Sequence, residues 1–243
     1  KNFGPVIKEG LYEFNDFHDQ IFEFTLFHCS EKNEMISLDE YISDFSNEKK
    51  KIYYISGENK ENLINSPQME LFKNKNINVL LITDPVDEFW MPMKMKFKEY
   101  EFTSITKGEV DIEEKSDKSE DIKEPKENLD FVAYLKDLLK DKVKDVKVSK
   151  RLTTSASCLV ADENDMDMHL KKLMAANNQN ISDEKRILEI NINHTLVSKV
   201  KSLEKSQKDK FSEILYDHAK LMEGENLDDP KKYTNLIAEL VSL

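Results

Sequence analysis

The residues able to do chemistry are scattered along this chain rather than gathered. Five histidines, His18, His28, His169, His194 and His218, stand at no spacing that puts two metal ligands on one helical face. His28 and Cys29 are adjacent, so on a helix they would point in different directions. Nothing in the sequence supports a Cys–His nucleophile pair drawn from distant segments. Cys29 and Cys158 form no metal or redox motif and read as buried free thiols in a reducing compartment. Asp and Glu number 48, so any two of them could be named an acid–base pair, and such a choice carries no information. The five glycines, Gly4, Gly10, Gly57, Gly108 and Gly224, are too dispersed for a phosphate-cradling loop, which argues against a nucleotide site built from this chain alone.

What the sequence offers is binding surface. Asp87-Glu88-Phe89-Trp90-Met91 sets the only Trp beside Phe and Met, behind two carboxylates. It is either a core plug under a sheet or an exposed patch that holds a partner. Met166, Leu170, Leu173 and Met174 lie at i, i+4, i+7 and i+8 of a helix expected over residues 165–177, with Asp167, His169, Lys171 and Lys172 mostly on the other face. Such a stripe is usually core, but flexible, polarizable methionine also serves promiscuous surfaces. Phe211, Ile214, Leu215 and Leu221 mark one late stripe, and Tyr233, Leu236, Ile237, Leu240 and Val241 another. Two helices alone cannot bury both, so they pack on their own domain or form a twofold four-helix bundle with a second chain.

The elements that would position these groups are legible. Ser37 and Glu40 have capping-box spacing, so a helix should start at Leu38. Residues 51–56 are a β-rich run. Ser66 caps a helix whose first residue is Pro67, ending at Asn76. Residues 77–83 form an apolar run at strand length, suited to a parallel strand covered on both faces. Together these make a right-handed βαβ unit. Before it lie helical segments rich in aromatics (Phe14, Phe17, Phe22, Phe24, Phe27), and residues 100–106 should join its sheet. Residues 108–128 are dense in Glu, Asp, Lys and Ser and read as an acidic linker or disordered loop. A helix striped by Leu129, Val132, Leu135, Leu138 and Leu139 follows. Short strands are expected near 146–148, 158–161 and 187–190, and helices near 195–203, 207–224 and 229–243. The expected fold is α/β followed by α+β: residues 1–107, the 108–128 linker, and residues 129–243 ending in helices.

Composition bounds the rest. The chain has 243 residues, 39% apolar and 35% charged, with a net charge of −12. That balance argues against a nucleic-acid partner, which needs a basic face, and no apolar run approaches the ~20 residues of a membrane span. No signal peptide opens the chain, although its first residue is Lys1.

The pieces DEYIS, IYYISGE, SPQMELFKNKNINVL and TDPVDEF, in this order and spacing, resemble the middle-domain core of the heat shock protein 90 chaperones. VKVSKRLTTSASCLVADENDMDMHLKKLMAANNQ, ILEININHTLV and FSEILYDHAKLMEGENLDDPKKYTNLIAELV look like the carboxy-terminal dimerisation domain of the bacterial and organellar form. The resemblance covers the chain apart from the acidic linker and implies a fragment: the later middle domain plus the dimerisation domain. It implies a homodimer that binds unfolded or partly folded clients in protein folding and stress response. The amino-terminal domain that binds ATP and Mg, and the middle-domain loop arginine that contacts the γ-phosphate, would lie outside it. No cofactor and no enzymatic activity are therefore expected of this chain. The implied client-binding residues are Glu88, Phe89 and Trp90, with Phe89 standing where the bacterial pattern has Trp, and Met166, Leu170, Leu173 and Met174. The implied dimer interface is Phe211, Ile214, Leu215, Tyr233, Leu236, Ile237, Leu240 and Val241. The compartment would be bacterial cytoplasm, mitochondrion or plastid. The closing Val241-Ser242-Leu243 lacks the acidic tail that tetratricopeptide co-chaperones read. The alternatives are an α/β enzyme with a pocket near Thr83–Asp87 and a purely structural dimerisation module.

Overall fold

The computed structural model describes residues 3–13, 17–45, 49–109, 112, 124–176 and 185–243. The chain divides into two compact units, Lys1–Thr106 with Met166–Ile181, and Lys107–Asp165 with Ser182–Leu243.

The first unit opens with α1 (Gly4–Glu9) and α2 (His18–Phe24), then β1 (Leu26–Cys29) and β2 (Ile36–Ser37). The capping box forms at α3 (Leu38–Phe45): Glu40 Oε2 accepts from the Ser37 N–H at 2.9 Å, and Ser37 Oγ accepts from the Glu40 N–H at 3.2 Å. Next come β3 (Lys51–Ser56) and α4 (Lys60–Ile64), then a 3-10 turn, Pro67–Met69, that runs into α5 (Glu70–Asn74). Ser66 Oγ accepts from the Gln68 N–H at 3.3 Å, so the expected cap is made, on a tighter first turn than an α-helix would have. β4 (Leu80–Ile82), α6 (Asp87–Trp90), β5 (Lys96–Phe97) and β6 (Tyr100–Ser104) complete the first run.

The sheet order is β2-β1-β4-β3-β6-β5. β3 is parallel to both β4 and β6, with Tyr54 opposite Leu80 on one side and Ser104 on the other, whereas β1 is antiparallel to β4. A central strand paired on both sides with helices over its faces is buried from residue 52 to 56, which is why residues 52–55 are apolar without alternation. β4 is shorter than the apolar run read from sequence. Among the aromatics of the first segment, Phe22 and Phe27 enter the core with Trp90 and Phe97, while Phe17 and Phe24 stay exposed. Phe14 lies outside the described residues.

The second unit contributes α7 (Lys126–Leu138), β7 (Asp145–Val148) and β8 (Ser157–Val160). The chain then returns to the first unit as α8 (Met168–Ala176). This differs from the division expected from sequence, where residues 166–181 belonged with 129–243. Three hydroxyl groups of the first unit bond the residue preceding α8, and that contact is invisible in a linear pattern. β9 (Ile187–Ile190), α9 (Thr195–Ser202), α10 (Lys205–Met222) and α11 (Pro230–Ser242) complete the second unit. Its sheet runs β7-β9-β8, parallel on one side of β9 and antiparallel on the other. The core gathers Leu135, Leu159, Leu188, Val197, Phe211, Ile214 and Leu215. Most of the expected acidic linker falls outside the described residues. Where it begins, Gly108 takes a left-handed φ of 53° and its N–H donates to the Ala161 carbonyl at 2.9 Å.

Candidate functional site

The segment after β4 turns through Thr83–Val86 into α6, a single turn of four residues. Successive side chains rotate by about 100° on a helix, so Asp87 and Trp90 share a side and Phe89 lies opposite. Asp87 and Trp90 point inward. Trp90 Nε1 donates to Asp87 Oδ1 at 2.8 Å, and its ring sits edge-on to Phe22 and Phe102 at 5.3 and 5.1 Å between centroids. Lys8 Nζ, also buried, donates to Asp87 Oδ2 at 2.7 Å and Asp84 Oδ2 at 2.8 Å, and lies 4.4 Å from the centre of the Phe27 ring. Burial pushes the Asp87 carboxyl above its usual range, and the adjacent Lys8 and the Trp90 N–H oppose that rise. At the strand end Thr83–Asp87, where an enzyme pocket was the alternative, Asp84 and Asp87 are both ion-paired to Lys8.

Trp90 is fully buried, whereas Phe89 is 61% exposed and pairs with the Tyr12 ring at 5.6 Å. Met93, four residues on, is exposed as well. Of the two rings expected here, only Phe89 can meet a partner, and Trp90 is the core plug. Glu88 was expected at an acidic rim but is 3% exposed. Burial, and then the nearby charge of Asp167, push its carboxyl up to about 7. Its Oε1 finds no hydrogen-bond partner among the described residues.

Met166, Leu170, Leu173 and Met174 are all half-buried, so the stripe is neither closed core nor free surface. Asp167, expected mostly on the face opposite the apolar stripe, is buried and held by hydroxyl donors. An Asp just ahead of a helix is a legible sign of a start, but its distant donors are not.

The late stripes are corrected too. Phe211, Ile214 and Leu215 are fully buried in their own unit, and Leu236 and Leu240 nearly so. Ser157 Oγ on β8 donates to the Leu215 carbonyl at 2.6 Å, which marks how closely α10 lies on that sheet. The small sheet has to cover an apolar face, and α10 does it, so packing on their own domain accounts for these five residues. Tyr233 and Ile237 are half-buried, while Val241 stands 77% exposed. Leu221, Met222 and Leu243 are also exposed, and Met222 and Leu243 belonged to no stripe read from sequence.

No group of three or more His, Cys, Asp or Glu among the described residues could hold a metal ion. No described helix is long and apolar enough to cross a membrane. Among the described residues the segment thus leaves Phe89 and Met93 exposed beside buried Asp87, Glu88 and Trp90.

The family model described as "Hsp90 protein" matches residues 1–243, and the chain belongs to that family. It is 34% identical to the chaperone protein HtpG of Rickettsia canadensis over 249 residues, covering 99% of this chain and 40% of that protein. It is 37% identical to the chaperone protein HtpG of Orientia tsutsugamushi over 254 residues, 97% of this chain and 40% of the relative. It is 36% identical to that of Clostridium botulinum over 247 residues, 99% of this chain and 39% of the relative. The chain thus spans about two fifths of the length of the curated relatives it matches.

Proposed function

We propose that this chain is the client-holding and pairing part of a molecular chaperone, corresponding to the later middle domain and the carboxy-terminal dimerisation domain of its longer relatives. It binds unfolded or partly folded proteins, and bond chemistry is not its task. The observation that carries the reading is Phe89: an aromatic ring left in solvent on a helix whose other three residues are all buried. Lys8, Asp87 and Trp90 hold that helix in place, so the ring is presented without conformational cost. The half-buried stripe of α8 supplies a second apolar contact. Pairing with a second copy would use the residues that α10 and α11 leave outward, Leu221, Met222, Ile237 and Val241. ATP and Mg are assigned to other parts of the longer proteins. The purified chain is expected not to hydrolyse ATP, and hydrolysis that survives removal of contaminants would overturn that assignment. The named relatives are bacterial, which supports a bacterial cytoplasm or an organelle derived from one.

The test is binding of reduced, carboxymethylated α-lactalbumin, followed by fluorescence anisotropy. Phe89→Ser, Met166→Ser and Leu173→Ser should each weaken binding several-fold while leaving the circular dichroism spectrum unchanged. Unaltered binding in all three would leave a purely structural dimerisation module as the better reading.

A further inference from the structure

Behind the proposed client surface lies a buried polar arrangement that joins α8 to the sheet. The Asp167 carboxylate accepts four hydrogen bonds. Oδ2 takes Ser104 Oγ and Thr106 Oγ1, each at 2.8 Å. Oδ1 takes Ser56 Oγ at 3.3 Å and the His169 N–H at 3.1 Å. Ser56 and Ser104 are the last residues of β3 and β6, so the ends of two paired strands converge on one side chain. Hydrogen bonds to an ionised acceptor are stronger than neutral ones, and four on one buried carboxylate make an anchor.

That anchor has an opponent. The titratable groups that act on Glu88 are Asp87 on its own helix and Asp167 ahead of α8, and Glu88 and Asp167 both act on Tyr54 of β3. Beyond Asp167 stand His169, half-buried, with Glu58 and Lys172. Lys8, the buried cation that contacts α6, is engaged with Asp84 and Asp87. Two acidic side chains thus share one interior site and compete for the single hydroxyl proton of Ser56, and Glu88 Oε1 has no partner among the described residues.

We propose that Asp167 is a positioning residue that latches α8 and its apolar stripe to the first unit, and that ionisation of Glu88 opposes the latch. The helix is then held at mildly acid pH and loosened as the pH rises. Docked, the Glu88 carboxyl is pushed up to about 7, by burial first and by Asp167 second. With α8 released, Asp167 departs and water enters, so Glu88 falls toward an ordinary value of about 4.3. The docked form therefore binds more protons. Its advantage is complete below the lower value and is lost as pH rises through the higher one. Between pH 6 and 8 the docking constant should fall by up to about tenfold. The consequence for clients rests on the function proposed above, but the latch itself does not.

Hydrogen–deuterium exchange of the whole chain at the two pH values, expressed as protection factors, tests this. Residues 169–174 should lose up to about tenfold in protection between pH 6 and 8. In Glu88→Gln the protection should stay at its acid-pH level throughout. Asp167→Asn should lower it at both pH values and weaken the pH dependence, since burial of Glu88 remains. Protection of β3 and β4 reports whether a variant is folded. Should Asp167→Asn disturb them, Thr106→Val, which deletes one donor, should still lower protection in α8 alone. Equal protection at both pH values in the unsubstituted chain overturns the latch, as does a pH dependence that survives Glu88→Gln. Binding of carboxymethylated α-lactalbumin is read separately. If exchange shifts and binding does not, the latch stands and the assignment of α8 to clients fails. If binding shifts and exchange does not, the latch fails.

Discussion

Replacing Lys8 by Met should be among the most damaging single changes in the first unit. The Lys8 and Asp87 side chains are 3% and 1% exposed and lie 2.7 Å apart. Methionine keeps the aliphatic stem, so packing beside the Phe27 ring is largely retained and the charge alone is removed. Asp87 is then left in the interior with only the indole N–H of Trp90. Breaking a buried pair from one side costs about 3–5 kcal/mol. The second partner, Asp84, has a third of its side chain in solvent and adds less than about 1 kcal/mol. For a chain of this size such a loss lowers the melting temperature by on the order of 10 °C. Urea unfolding followed by the fluorescence of Trp90, the only Trp, reads this site directly. The pH dependence gives a second check. The Asp87 carboxyl is already raised by burial, and losing Lys8 raises it further. A raised carboxyl adds stability in acid that is lost as the pH climbs through its folded value. The deficit of Lys8→Met should therefore be larger at about pH 7.5 than at about pH 5. A loss below about 1 kcal/mol, or one identical at both pH values, would refute a buried, uncompensated carboxylate as its cause. Lys8→Met combined with Asp87→Asn should recover part of the loss.

Three further outcomes follow from burial. Trp90→Ala should cost about 3–5 kcal/mol in chemical denaturation, whereas Phe89→Ala, at an exposed ring, should change stability by less than about 1 kcal/mol. Phe211→Ala should destabilise the second unit by about 3–5 kcal/mol, while Val241→Ser should leave its unfolding unchanged and weaken self-association in sedimentation equilibrium. Arg151 donates through Nε to Glu189 at 2.9 Å with both side chains buried, so Arg151→Met should cost about 3–5 kcal/mol in thermal unfolding.

Local features were legible wherever the signal is itself local. The capping box at Ser37 and Glu40, the Ser66–Pro67 start and the strand–helix–strand run over residues 51–82 are written in adjacent residue types, and all three form. β1 was not legible. Leu26–Cys29 sits inside an aromatic-rich stretch that reads as helix, and it is a strand because β4 and β2 offer it partners. The same holds for the proposed client surface. The segment DEFW announces an acidic and aromatic site, but which ring is exposed depends on how a four-residue helix is turned toward the core.

The sequence by itself determined which faces are apolar and where most helices begin. Tertiary structure alone decided what covers each face. Burial of apolar area is non-directional, so a stripe such as Phe211, Ile214 and Leu215 is equally content against its own sheet or a second chain, and only the packed fold shows that the sheet has taken it. Asp167 makes the same point for polar groups. A carboxylate needs donors from somewhere, and Ser56, Ser104 and Thr106, between 61 and 111 residues away, become its partners only when the chain folds back to the first unit.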